Sequence, residues 1–278
     1  MNLHQSLSVG NIRLLILSLV ATAVVSLLPI SSHATVDWNE GFEYANDAAL
    51  DVVWSVSCLG NPGVSSSRAF RGVKSLRLVY NGKVGIDPGA GGCYIDRNLA
   101  GPGQTLYTRY YMYMENFTVD STATKVTLQG EACCFPSFWW EMQWGAPNLS
   151  VAVQGVEVAP GVRGTVNING SAIPQNQWVC IETRLTMSTP GVDNGIIQTW
   201  INGVPGINKT NQRMRSTNPA INSATAMFRF VRLYTQNGRG VIYYDDYAVS
   251  RDARIGCGSS TPSSDTTPPI PPSGVLAK

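Results

Sequence analysis

The strongest constraint on this chain is its alternation of apolar and polar residues. Runs with a period of two recur between turn residues, and no stretch keeps a helical period for three turns. The runs are 75–80, 106–117, 138–144, 149–155, 164–170, 178–187, 196–203, 226–234 and 241–250. Asn237-Gly238 between the last two supplies the positive φ of a tight hairpin. This many strands, punctuated by 27 glycines and 16 prolines, predict an all-β fold, a two-sheet antiparallel jelly-roll sandwich. "YTRYYMYM" (107–114) shows the pattern at its clearest. Thr108, Tyr110, Met112 and Met114 form the expected core face. Tyr107, Arg109, Tyr111 and Tyr113 form the opposite one, expected to be a concave working surface.

Three segments follow from composition. Residues 1–34 read as a secretory signal peptide: Arg13 precedes an apolar run shorter than the ~20 residues of a membrane span, and small residues follow at Ser32 and Ala34. Residues 35–257 are the jelly-roll domain, and 258–278 a Ser/Thr/Pro-rich linker or tail of the kind that joins modules, so a longer homologue would carry a further C-terminal module. The expected location is extracellular or periplasmic, with no membrane association once the signal is removed.

Both histidines, His4 and His33, lie in the signal, so the mature chain has no imidazole for base catalysis or zinc ligation. With 20 basic and 18 acidic residues there is no electrostatic footprint for nucleic acid. An even set of six cysteines in an oxidising compartment favours disulfides over a metal site. Cys58 with Cys93 is the preferred first pair. The adjacent Cys133 and Cys134, if both are bridged, must reach different partners, with Cys180 and Cys257 remaining. Sequons begin at Asn116, Asn148, Asn169 and Asn208.

The segment "QWVCIETRLTMSTPGVDNGIIQTWINGV" (177–204), the opening "WNEGFEY" (38–44) and the closing strand "IYYDDYAVSRDARIG" (242–256) resemble the concanavalin A-like lectin/glucanase superfamily. The likeness is greatest to secreted polysaccharide lyases of the alginate and glucuronan type and to related carbohydrate-binding jelly rolls. The resemblance implies a polysaccharide ligand and a structural calcium ion held by Glu43 and Asp246, with no organic cofactor. Alternation sends Asp245 and Asp246 to opposite faces unless a bulge intervenes. The resemblance also makes Lys125, in "TKVTLQG" (124–130), a candidate catalytic lysine.

Hydrolysis by paired carboxylates is disfavoured, because Glu141 shares its strand face with Gln143, and an amide is neither acid nor nucleophile. Elimination from a uronic acid requires a group to neutralise the carboxylate and proton-transfer groups at C5 and at the leaving oxygen. The candidate catalytic set is Arg109 for neutralisation, Tyr111 or Lys125 for proton transfer, and Gln143 beside them. Tyr107, Tyr113, Glu141, Glu182, Arg184, Arg232 and Tyr234 are candidate substrate-binding residues. The alternatives are a non-catalytic carbohydrate-binding module and a structural surface domain. In those readings Glu182 pairs with Arg184, and Arg109 reaches a neighbouring strand's carboxylate.

Overall fold

A computed structural model describes residues 34–58, 61–82, 93–118, 124–131, 139–145 and 148–258, with the side chains of 139–149 left undescribed. The signal segment, the tail and the Cys133–Cys134 pair lie outside the described residues. The strands are β1 (Trp38–Glu40), β2 (Ser55–Val56), β3 (Gly63–Ser65), β4 (Ser75–Asn81), β5 (Tyr94–Gly103), β6 (Thr105–Thr118), β7 (Thr124–Gly130), β8 (Trp139–Gly145), β9 (Asn148–Ala159), β10 (Val162–Ala172), β11 (Trp178–Thr186), β12 (Gly195–Ile201), β13 (Val204–Gln212), β14 (Phe228–Gln236) and β15 (Arg239–Ser250). One short helix, α1 (Asp47–Val53), is opened by the Asn46 side chain, which accepts from Ala49 N.

Two antiparallel sheets result. Sheet I has the order β13-β12-β11-β6-β15-β4-β3, with β1 also paired to β15, and sheet II has the order β10-β9-β8-β7-β14-β5-β2. Each of the nine expected runs is a strand. β5, β7 and β13 add further long ones. Asn237, in the β14–β15 turn, has φ 59°, and Asn202-Gly203 turns β12 into β13 with φ of 50° and 80°.

The core lies between the sheets. Tyr110, Met112 and Met114 of β6 are buried there, as expected of that face, with Ile181 and Leu185 from β11, Tyr244 and Tyr247 from β15, and Val126, Val151, Val231 and Leu233 from sheet II. Polar threads also cross it: Gln129 Nε2 donates to Thr108 Oγ1 (3.1 Å), and Tyr244 OH to the Val126 carbonyl (3.1 Å).

Disulfides pin the margins. Cys58–Cys93 forms as expected, immediately ahead of β5. Cys180 and Cys257 are bonded to each other, a pairing that the sequence leaves open. The reason is topological: the chain leaving β15 runs back over β11, and alternation cannot reveal that path.

At the β1 end a single carboxylate gathers the chain. Glu40, 1 % exposed, accepts from Phe42 N (2.8 Å), Tyr44 OH (2.5 Å) and Trp54 Nε1 (3.1 Å), and Arg97 lies 3.7 Å away. Arg97 in turn rests over the Trp38 ring at 4.3 Å. Removing one partner of such a buried group strands the others. Glu40→Ala should therefore lose about 3–5 kcal/mol of unfolding free energy in a denaturant titration. A loss below about 1 kcal/mol would show that these donors find water instead.

Candidate functional site

The outer face of sheet I carries the Tyr/Arg ladder. In register, Trp178 stands opposite Tyr113, Cys180 opposite Tyr111, Glu182 opposite Arg109 and Arg184 opposite Tyr107. Most of these groups are engaged internally. Arg109 Nη2 donates to Asp246 Oδ1 (2.7 Å), and Arg71 Nη1 lies 3.2 Å from Oδ2 of the same carboxylate. Tyr111 stacks on Phe70, with centroids 3.5 Å apart and planes at 13°, and its hydroxyl donates to the Gly258 carbonyl (3.1 Å). Burial raises the Tyr111 pKa, the opposite of what a proton-abstracting phenol needs. Tyr113 lies under the guanidinium of Arg68 (4.3 Å), which is itself paired with Glu115. Glu182 binds Arg254 and accepts from Gly256 N (2.7 Å).

Asp245 and Asp246 both serve this face, because Asp246 takes a left-handed φ of 47° where the β15–β6 register shifts. Asp245 Oδ2 accepts from Phe70 N (2.7 Å) and Arg71 N (2.9 Å), and its Oδ1 from Asp246 N (2.7 Å).

The proposed calcium ligands do not fit a calcium site. Glu43 Oε1 accepts from the backbone N–H groups of Val73 and Lys74 (2.9 Å each), and Asp246 is flanked by two guanidinium groups where a cation would have to sit. Cys180, Glu182 and Cys257 are close together, but both sulfurs are in the disulfide and neither is a thiolate.

Sheet II presents a different outer face. Leu128, Phe230 and Tyr234 form a small apolar cluster there with Tyr94 packed against it. Arg232 lies 3.9 Å over the Tyr94 ring and is held by both oxygens of Asp96, at 2.5 and 2.6 Å. Val126 packs into the core, so the preceding Lys125 stands on the outer side.

Two transverse rows follow from the register. Asp96, Arg232, Leu128, Glu141, Ala152 and Asn167 form one; Gln236, Lys125, Gln143, Ser150 and Asn169 form the other. Gln236 Oε1 is buried without a hydrogen-bond partner among the described residues.

The candidates thus divide between opposite sheets. Tyr107, Arg109, Tyr111, Tyr113, Glu182, Arg184 and Asp246 belong to sheet I, whereas Lys125, Glu141, Gln143, Arg232 and Tyr234 belong to sheet II. No single groove unites Arg109 and Tyr111 with Lys125 and Gln143. Tyr94, Asp96 and Gln236 were missed. Tyr94 and Asp96 alternate around the buried Ile95, but the glycine-rich stretch before them hides the strand.

No family model and no curated protein sequence matches the chain. Solved structures match its fold. A marine PL-14 alginate lyase from Aplysia kurodai is 14% identical, with a TM-score of 0.56 over 78% of this chain and 100% of its own. An endo-β-1,4-glucuronan lyase from the fungus Trichoderma reesei is 12% identical, with a TM-score of 0.52 over 78% and 95%. The cellulose-induced protein Cip1 is 14% identical, with a TM-score of 0.52 over 80% and 100%. The chain therefore has the jelly-roll fold of these three structures.

Burial pushes the Asp245 carboxyl up to about 7, against the pull of its N–H donors. The folded protein thus takes up a proton at higher pH than the unfolded chain, whose carboxyl titrates near 3.8. This contribution to stability is complete below that value and is lost as pH rises through about 7. The melting temperature of the wild type, minus that of Asp245→Asn, should fall from pH 4 to 7 by about 2 °C or more. Parallel profiles would mean that Asp245 stays ionised throughout.

Proposed function

We propose that this protein is secreted and binds an acidic polysaccharide across the outer face of sheet II. One observation carries the reading: Lys125 stands in a row with Gln236, Gln143, Ser150 and Asn169, which contains a cation, amides and a hydroxyl but no carboxylate. Amides and hydroxyls suit sugar hydroxyls, and a lysine among them suits a uronate carboxylate. With strands about 4.8 Å apart, five strands span roughly 19 Å, enough for an extended chain rather than a single sugar. Alongside, Arg232 is buried against the Tyr94 ring and paired with Asp96, so that row packs and supports the sheet beside the Lys125 row. The names of two fold neighbours, an alginate lyase and a glucuronan lyase, support a polyuronate as the ligand class. The disulfides support an oxidising compartment.

A second reading, β-elimination, is favoured by the direct cross-strand pairing of Lys125 with Gln143 and with Gln236. An amide hydrogen-bonded to the uronate carboxylate makes the C5 proton more acidic. The neutral Lys125 amine takes the C5 proton, the C5–H electrons become the C4=C5 double bond, the C4–O bond breaks, and the leaving oxygen takes a proton from the Lys125 ammonium so formed. In this reading Lys125 is the proton-transfer group, and Arg109 and Tyr111 take no part.

The mature protein should be retarded in gels containing alginate or glucuronan but not a neutral glucan, and Lys125→Ala should weaken that retention at least about fivefold. No retention on any polyuronate would overturn the proposal. Growth of the unsaturated product's ultraviolet absorbance, abolished in Lys125→Ala, would make it a lyase. Retention without that absorbance leaves a binding module.

A further inference from the structure

On the outer face of sheet I the arginines are largely matched with carboxylates: Arg109 and Arg71 with Asp246, Arg68 with Glu115, and Arg254 with Glu182. Arg184 departs from this pattern. It is half-buried, its Nη1 donates to Gln198 Oε1 at 3.3 Å, and its buried Nε has no acceptor among the described residues. Among the described residues no carboxylate pairs with it. Glu182, two positions away on β11, is already taken by Arg254 and Gly256 N.

The surroundings of Arg184 are ordered. Tyr107, Arg184, Gln198 and Asn208 are successive cross-strand partners on β6, β11, β12 and β13. The guanidinium carbon lies 5.6 Å from the Tyr107 ring centre, and Gln198 Nε2 donates to Asn208 Oδ1 at 2.8 Å. The amide chain fixes which way Gln198 points, so its carbonyl is committed to one arm of the guanidinium. Nε is enclosed, so the remaining Nη donors are those that an oxyanion engages.

We infer that this row is a second binding site, specific for the acidic group of a polysaccharide chain, on the face of the sandwich opposite the sheet II row. A partly exposed aromatic ring, an uncompensated guanidinium and two amides in a shallow line suit a charged sugar better than a small ion, which would use neither the ring nor Asn208. The identity of the ligand rests on the polysaccharide reading above, but the location and chemistry of the site do not. Two sites on opposite faces would let one molecule hold two chains, or two stretches of one long chain, and raise avidity for polymer over short oligosaccharide.

Binding to alginate or glucuronan polymer, measured by gel retardation, and to their short oligosaccharides, measured by calorimetry, tests this in wild type, Arg184→Gln, Arg184→Lys, Lys125→Ala and the Arg184→Gln/Lys125→Ala double variant. Arg184→Gln should weaken polymer binding about tenfold at moderate salt, leave neutral-glucan behaviour and melting temperature unchanged, and be partly rescued by Arg184→Lys. Because the sites are far apart, its effect should add to that of Lys125→Ala. Wild-type affinity in Arg184→Gln, or an effect that vanishes in the Lys125→Ala background, would overturn the second site. Loss in Arg184→Gln with none in Lys125→Ala would instead sink the sheet II reading and leave this one standing.

Discussion

The bulge at Asp246 is the feature on which the organisation of sheet I turns. A regular strand would send one of the two adjacent aspartates into the core, where an unpaired carboxylate is costly. The left-handed backbone at Asp246 turns both outward. Asp245 then holds the backbone of Phe70 and Arg71, Asp246 binds Arg71 and Arg109, and Phe70 comes to lie flat on Tyr111. Farther along the face, Cys180–Cys257 and the Glu182–Arg254 pair tie down the chain after β15. A ladder that looks like a working surface is thereby largely consumed as packing.

This explains which parts of the site were legible in the sequence. Alternation correctly separates the Met face of β6 from its Tyr/Arg face, because side-chain parity is a local property. It carries no information about which strands become neighbours. Arg109 and Gln143 both lie in well-defined strands, yet those strands fall in different sheets, a consequence of long-range pairing such as β6 with β15 and β7 with β14. β5 escaped notice for a local reason, since Gly101, Pro102 and Gly103 interrupt its pattern.

The opening segment shows a similar split. "WNEGFEY" carries part of the family resemblance, which points to Glu43. Glu43 caps an exposed turn at Val73 and Lys74, whereas Glu40 is the carboxylate that the fold encloses. They stand three positions apart, and the docking of Trp54 and Arg97 against β1 decides which is buried. The bulge likewise required tertiary contacts, because its stabilising partners come from the segment around residue 70.

The Tyr94–Arg232–Asp96 cluster does more than pack. The Cys58–Cys93 bridge fixes the chain immediately before Tyr94, and the two oxygens of Asp96 hold the Nε–Nη2 edge of the guanidinium over the ring. An arginine normally surrenders much rotamer freedom when a ligand immobilises it. Here that ordering belongs to folding rather than to association. The cluster is therefore a rigid support that holds β5 against β14 beside the Lys125 row, in place before any ligand arrives.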